Sequence, residues 1–183
     1  MKYLKVMFSD KSRYNDFEYK VNEINVAPYW NKEAKTPEEM GGLNYSNEEN
    51  ILRWIHNGNT IYEVEVPEDA ETVSVKESAT PYGVFRSNKI IIKNPKLVTD
   101  SMALEFYKKT TIPESAFPKA LGAVALMNYY NTAMTIFNEK VTEDNIDFYI
   151  QEWNDFTSKK ERQNCNETVI KITKLLNEFK ESK

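Results

Sequence analysis

Four polar side chains, Arg86, Ser87, Asn88 and Lys89, interrupt a run from Val84 to Ile92 that otherwise reads as an apolar strand. Groups of this kind either face a cleft or mark a bulge or a charge-protected sheet edge. The pattern leaves both readings open. A permanently charged guanidinium between Phe85 and Ile90 is costly unless it is exposed or paired, and Glu63 or Glu65 would be its carboxylate if it is buried. Aromatic residues Tyr45, Trp54, Tyr62 and Tyr82 can line the same cleft, although aromatics in a half-sheet serve a core equally well. Tyr45, Tyr62, Arg86, Ser87 and Asn88 are therefore candidate binding residues, to which a resemblance given below adds Tyr19 and Ser46.

The groups most often recruited for catalysis are sparse. His56 sits near the end of a helical stretch in RWIHNG, where an imidazole interacts with helix C-terminal carbonyls more readily than it acts as a general base. Cys165, the single cysteine, opens the last predicted helix without a recognisable catalytic motif around it. The nucleophilic alternative to these structural roles is a Cys165–His56 dyad. One histidine and one cysteine, more than a hundred residues apart, are too few for zinc. Glu143, Asp144 and Asp147 read as favourable charge in a first helical turn rather than as a calcium loop. Gly41-Gly42 lacks the lysine or third glycine of a phosphate-binding loop. No metal and no cofactor is expected, and the catalytic residues are unknown.

Composition bounds the rest. A chain of 183 residues with 40% hydrophobic, 13% aromatic and 28% charged residues can bury one core. The net charge is −4, and residues 1–96 and 97–183 each hold about half of it, so no basic stripe argues for nucleic acid. The N-terminus MKYLKVMFSD lacks a cleavage site, and no window of 18 apolar residues exists, so neither secretion nor a membrane is expected. A single thiol among eleven tyrosines fits a cytoplasmic location.

The elements that must position these residues fall into a strand-rich part, 1–95, and a helical part, 96–183, of a single domain. The seam lies at Asn94-Pro95, where proline stops a ladder. Residues 2–8 and 17–26 alternate as strands and are expected to pair as a hairpin. A loop over 28–42 follows, and then Ser46 to Glu49 has the spacing of a capping box opening a short helix that Asn57-Gly58-Asn59 ends. Strands are predicted over 61–66, 71–75 and 84–92, and helices over 100–109, 117–138 with a break near Asn128, 143–156 and 166–179. The fold class is α+β: a mainly antiparallel N-terminal sheet with one short helix, followed by a C-terminal helical bundle packed on it.

The stretches FEYKVNEINVA, MGGLNYSNEENILRWI, IYEVEVPEDAE, YGVFRSNKIIIKNP and MALEFYKK together resemble a group of uncharacterised proteins from phages and prophages of low-GC bacteria. That resemblance implies a mobile-element origin and no established activity. The half-sheet is also similar to that of ADP-ribosyltransferase-like folds. The similarity implies a nicotinamide cleft lined by Tyr19, by Leu43 to Ser46, and by Glu63 or Glu65. Neither an arginine nor a histidine stands on the first strand, as such enzymes require.

Two functions follow as expectations. The first is a non-enzymatic, intracellular interaction or inhibitor protein of phage or prophage origin that binds a host or phage protein, since aromatic anchors suit interfaces. The alternative is an NAD-dependent ADP-ribosyltransferase-like enzyme or a degenerate relative.

Overall fold

The computed structural model describes residues 2–11, 17–77, 80–159 and 166–182, and it is α+β with an antiparallel sheet. The chain forms two compact units, Met1–Ile51 with Asn57–Val98, and Leu52–His56 with Thr99–Lys183.

The first unit holds strands β1 (Tyr3–Met7), β2 (Ile24–Val26), β3 (Leu43–Asn47), β4 (Thr60–Glu65), β5 (Thr72–Glu77), β6 (Thr80–Ser87) and β7 (Lys89–Leu97), with one turn of helix, α1 (Pro37–Met40). They form one sheet in the order β2-β7-β4-β1-β3-β6-β5, every neighbouring pair antiparallel. β1 is central because Leu4 to Met7 are buried throughout, as a strand covered on both faces must be. The expected hairpin of β1 with the next strand does not form. Only Ile24–Val26 is strand, and it pairs with β7 as Ile24↔Ile91 and Val26↔Lys89. Asn22, with φ 63°, turns the chain just before it.

The predicted strand over 84–92 is two strands with Asn88 between them. β6 and β7 are separated in the sheet by β3, β1 and β4. At about 4.8 Å between neighbours, a flat sheet would hold them roughly 19 Å apart, whereas Ser87 and Lys89 are joined by a single residue. The sheet must therefore roll back on itself at Asn88. Its inner face carries the core cluster Met7, Tyr19, Leu43, Tyr45, Tyr62, Val64, Ile90 and Ile92. Asn88 ties the junction: its N–H donates to Glu71 O, its carbonyl accepts from Ala27 N, and its Oδ1 accepts from Glu71 N. Proline does not end β7 at Asn94-Pro95. Asn94 takes φ 52°, the register against β4 shifts between Ile61 and Glu63, and the strand continues to Leu97.

Residues Glu48–Asn57 form a 3-10 helix. The capping box is not made, because Ser46 lies in β3 and donates its hydroxyl to Gly83 O, at 2.7 Å. Asn47 takes the cap position and accepts from the Asn50 amide instead.

The second unit contains α2 (Asp100–Lys109), α3 (Phe117–Leu126), α4 (Tyr130–Lys140), α5 (Ile146–Thr157) and α6 (Glu167–Glu181) with Leu52–His56. α3 is buried on all sides except at Lys119, which its run of alanines allows. The predicted break falls at Asn128, in the left-handed region with φ 60°. Two side chains close helix ends across the chain. Asp100 accepts from the Asn131 and Thr132 N–H groups at the start of α4. Asn166 donates to Ala125 O and Leu126 O at the end of α3 while capping α6. No helix of the described residues is long and apolar enough to cross a membrane.

Candidate functional site

The structure gathers most of the candidate residues in the rolled sheet, where their polar atoms are already engaged. The Tyr45 hydroxyl shares a 2.9 Å hydrogen bond with Ser87 Oγ, which shares a 2.6 Å bond with Thr72 Oγ1. Ser87 is 0% exposed, and the Tyr45 ring stacks on Phe85 and meets Tyr3 edge-on. Tyr62 is buried and donates to Ser9 O at 2.8 Å. Burial pushes the pKa of Tyr19, Tyr45 and Tyr62 above the ordinary phenol value, so all three are neutral hydroxyls at physiological pH. Arg86 is half-buried, and its Nη1 donates to Gly41 O at 2.7 Å. Glu63 and Glu65, the carboxylates expected to receive it, are engaged by Lys2 and by Lys93.

One functional group went unnoticed in the sequence. Lys5 lies in the central strand and is almost fully buried, yet forms no ion pair among the described residues. β1 and β3 are in register only at Tyr3↔Asn47 and Leu4↔Ser46. The Lys5 ammonium reaches to Asn44, donating to its carbonyl at 2.6 Å and its Oδ1 at 2.7 Å. The Tyr19 ring lies 4.9 Å from Nζ. Desolvation, followed by the nearby positive charge of Arg86, lowers the Lys5 pKa to about 7. Among the described residues its hydrogen bonds run only to Asn44, with no carboxylate or hydroxyl to exchange its proton with. A lysine among apolar strand residues carries no sequence signal of this, because its burial depends on which strands flank β1.

The residues of the nicotinamide-type cleft do not share a face. Tyr19 and Tyr45 point into the core cluster, whereas Glu63 and Glu65 alternate with Tyr62 and Val64 and so lie on the opposite face of β4. Of the two catalytic candidates read from the sequence, His56 is buried against the Phe156 ring, with centroids 5.2 Å apart, and Cys165 lies outside the described residues.

The first unit also exposes apolar side chains beside a sheet edge. Ile24, Val26 and Tyr29 are 56%, 62% and 58% exposed along one short run, and β2 ends the sheet, so no strand pairs with its outer side among the described residues. The other terminal strand, β5, begins with exposed Thr72 and Ser74. A polar edge resists accidental pairing, and an apolar one invites it. Comparison of the chain with protein-family models, with curated proteins and with solved structures finds no match.

Proposed function

We propose that this protein works by binding another protein, through addition of an extended segment of that partner to the outer side of β2. The observation that carries this reading is the contrast between the exposed side chains of the two terminal strands: Thr72 and Ser74 at β5, Ile24 and Val26 at β2. In strand addition, main-chain hydrogen bonds supply affinity and alternate side chains supply selectivity. The partner segment matched to Ile24 and Val26 carries β-branched or aromatic residues at alternate positions. Further support comes from the interior. The hydroxyls of Tyr45, Ser46, Tyr62 and Ser87 are spent on holding the rolled sheet together, which fits a scaffold more than a reaction centre.

Selection of a display library of random linear peptides against the protein, with counter-selection on Ile24→Lys/Val26→Lys, tests the proposal. Both side chains are exposed, so the double variant should keep its stability to within about 0.5 kcal/mol. The expected outcome is enrichment of alternating apolar peptides whose binding falls at least tenfold in the variant. Enrichment of nothing, or of peptides that bind both proteins equally, overturns the reading. A concentration-dependent dimer abolished by the same substitutions would assign the edge to a second copy instead.

A further inference from the structure

Two hydrogen bonds fix which way the main chain of β2 faces. Ala27 N donates to Asn88 O at 2.7 Å and Asn22 N donates to Ile92 O at 2.9 Å, so Asn88 and Ile92 turn their main-chain groups toward β2. These groups alternate between the two sides of a strand, so Ile90 also faces β2 and Ile91 faces β4. In the register of the two strands, Asn25↔Ile90 is then a hydrogen-bonded pair, while Ile24↔Ile91 and Val26↔Lys89 are not. The N–H and C=O of Ile24 and of Val26 therefore point out of the sheet, and among the described residues no strand lies there to receive them.

The outward row stops after these two residues. Going forward, the next outward position is Pro28, which has no N–H, and Tyr29 O is taken by Gly42 N at 2.9 Å. Going back, Asn22 has φ 63° and gives its N–H to Ile92, and Glu23 O accepts from Asn25 Nδ2 at 3.0 Å. The Asn25 amide also accepts from Lys20 N and donates to Lys20 O, which holds the turn at residues 20–23 against the strand. A turn at one end and a proline at the other keep an exposed edge from templating a long ladder. They leave a window of two donors and two acceptors beside the exposed side chains of Ile24 and Val26.

We infer that the partner segment adds antiparallel to β2 over three residues, its first forming a hydrogen-bonded pair with Val26 and its third with Ile24. The inference rests on the strand-addition reading and goes beyond it in length, direction and side-chain order. In an antiparallel pair, three partner residues supply all four bonds. A parallel segment needs five, reaching to Glu23 and Ala27, where the edge turns or meets proline. The first and third side chains share the face of Ile24 and Val26 and are β-branched or aromatic. The middle one shares the face of Asn25, toward the turn at residues 20–23, and is polar.

The probe is the peptide acetyl-Lys-Ile-Thr-Val-Lys-amide, with three analogues N-methylated at its Ile, its Thr or its Val. Amide exchange of the isotope-labelled protein is followed by NMR with and without each. The expected result is slower exchange at Ile24 and Val26, and none of that slowing at Asn25, which is already bonded to Ile90. Methylation at Ile or Val should weaken binding by about fivefold or more, the scale of one main-chain hydrogen bond, and methylation at Thr by less than about twofold, because the middle N–H points away. A nitroxide on the peptide's N-terminus should broaden the Ala27 amide more than that of Glu23. The opposite order of broadening, a loss on methylating Thr alone, or no protection at Ile24 and Val26 overturns this inference. Strand addition itself still stands or falls with the library selection, so the two failures are distinct. Protection of Ile24 and Val26 without peptide, growing with protein concentration, would assign the window to a second copy and overturn the inference as well.

Discussion

Lys5 makes the stability of the first unit depend on pH. Its pKa is about 7 in the fold against 10.5 for an ordinary lysine. Between those values the unfolded chain holds a proton that the folded chain does not, so stability rises with pH across the window. Below pH 7 both states are protonated, and the cost of the buried charge is present in full. Urea unfolding at pH 6.5, 8 and 9.5 should show this rise. Lys5→Met should flatten it and be more stable at pH 6.5 by a few kcal/mol, since each pKa unit is worth about 1.4 kcal/mol. A variant with the parent's slope would remove Lys5 as the cause. Arg86 is coupled to this group. Arg86→Ala removes a half-buried hydrogen bond to Gly41, at a cost of about 1 to 2 kcal/mol, and by lifting a repulsive charge it should move the Lys5 titration upward. Pairing with Glu63 or Glu65 is one of the arrangements open to a buried Arg86. It fails because alternation puts those carboxylates within reach of Lys2 and Lys93.

Elements were legible where the local chain decides them. Asn94 and Asn128 both adopt positive φ, which asparagine tolerates, and the helix break at Asn128 followed from residue type alone. Asn128→Ala should cost about 1 to 2 kcal/mol from the left-handed backbone, and more because Thr168 then loses its acceptor. The capping box misled because Ser46 has a partner on β6, 37 residues away, that competes with the local one. Gly58 shows a constraint of another sort. Its backbone is extended and unstrained, but an added Cβ would run into the backbone of Met7. Gly58→Ala should therefore destabilise the protein by about 3 kcal/mol or more, a loss readable as a lower urea midpoint with unchanged m.

At the scale of the molecule, the α+β class and the change from strands to helices could be read from periodicity, and the change falls at Val98–Thr99, three residues beyond the predicted seam. Strand order could not. The same nine residues, 84–92, satisfy one long strand and two strands either side of Asn88, and only the pairing of β3 with β6 and of β4 with β7 distinguishes them. The site residues suffered likewise: tyrosines and serines that look poised to bind are equally suited to lining a rolled sheet, and burial decides which they do. Asn88→Ala removes the acceptor for Glu71 N and should loosen that closure, visible as faster amide exchange at Glu71 and Ala27 than at the β1 core.

The assignment of Leu52–His56 to the helical unit has a consequence for how such a protein can be inherited. The helices from Thr99 onward cannot travel as a cassette. A recombination crossover at residue 98 would deliver them without Leu52 and Ile55, which are 0% exposed, and without the imidazole that abuts Phe156. A fragment of residues 99–183 should accordingly keep far-ultraviolet helical signal but bind a hydrophobic dye and lose fixed near-ultraviolet bands. A fragment with native tertiary signals would show that the five residues are dispensable. If they are not, an exchange that keeps these helices working must carry residues 52–56 along with the strands on either side.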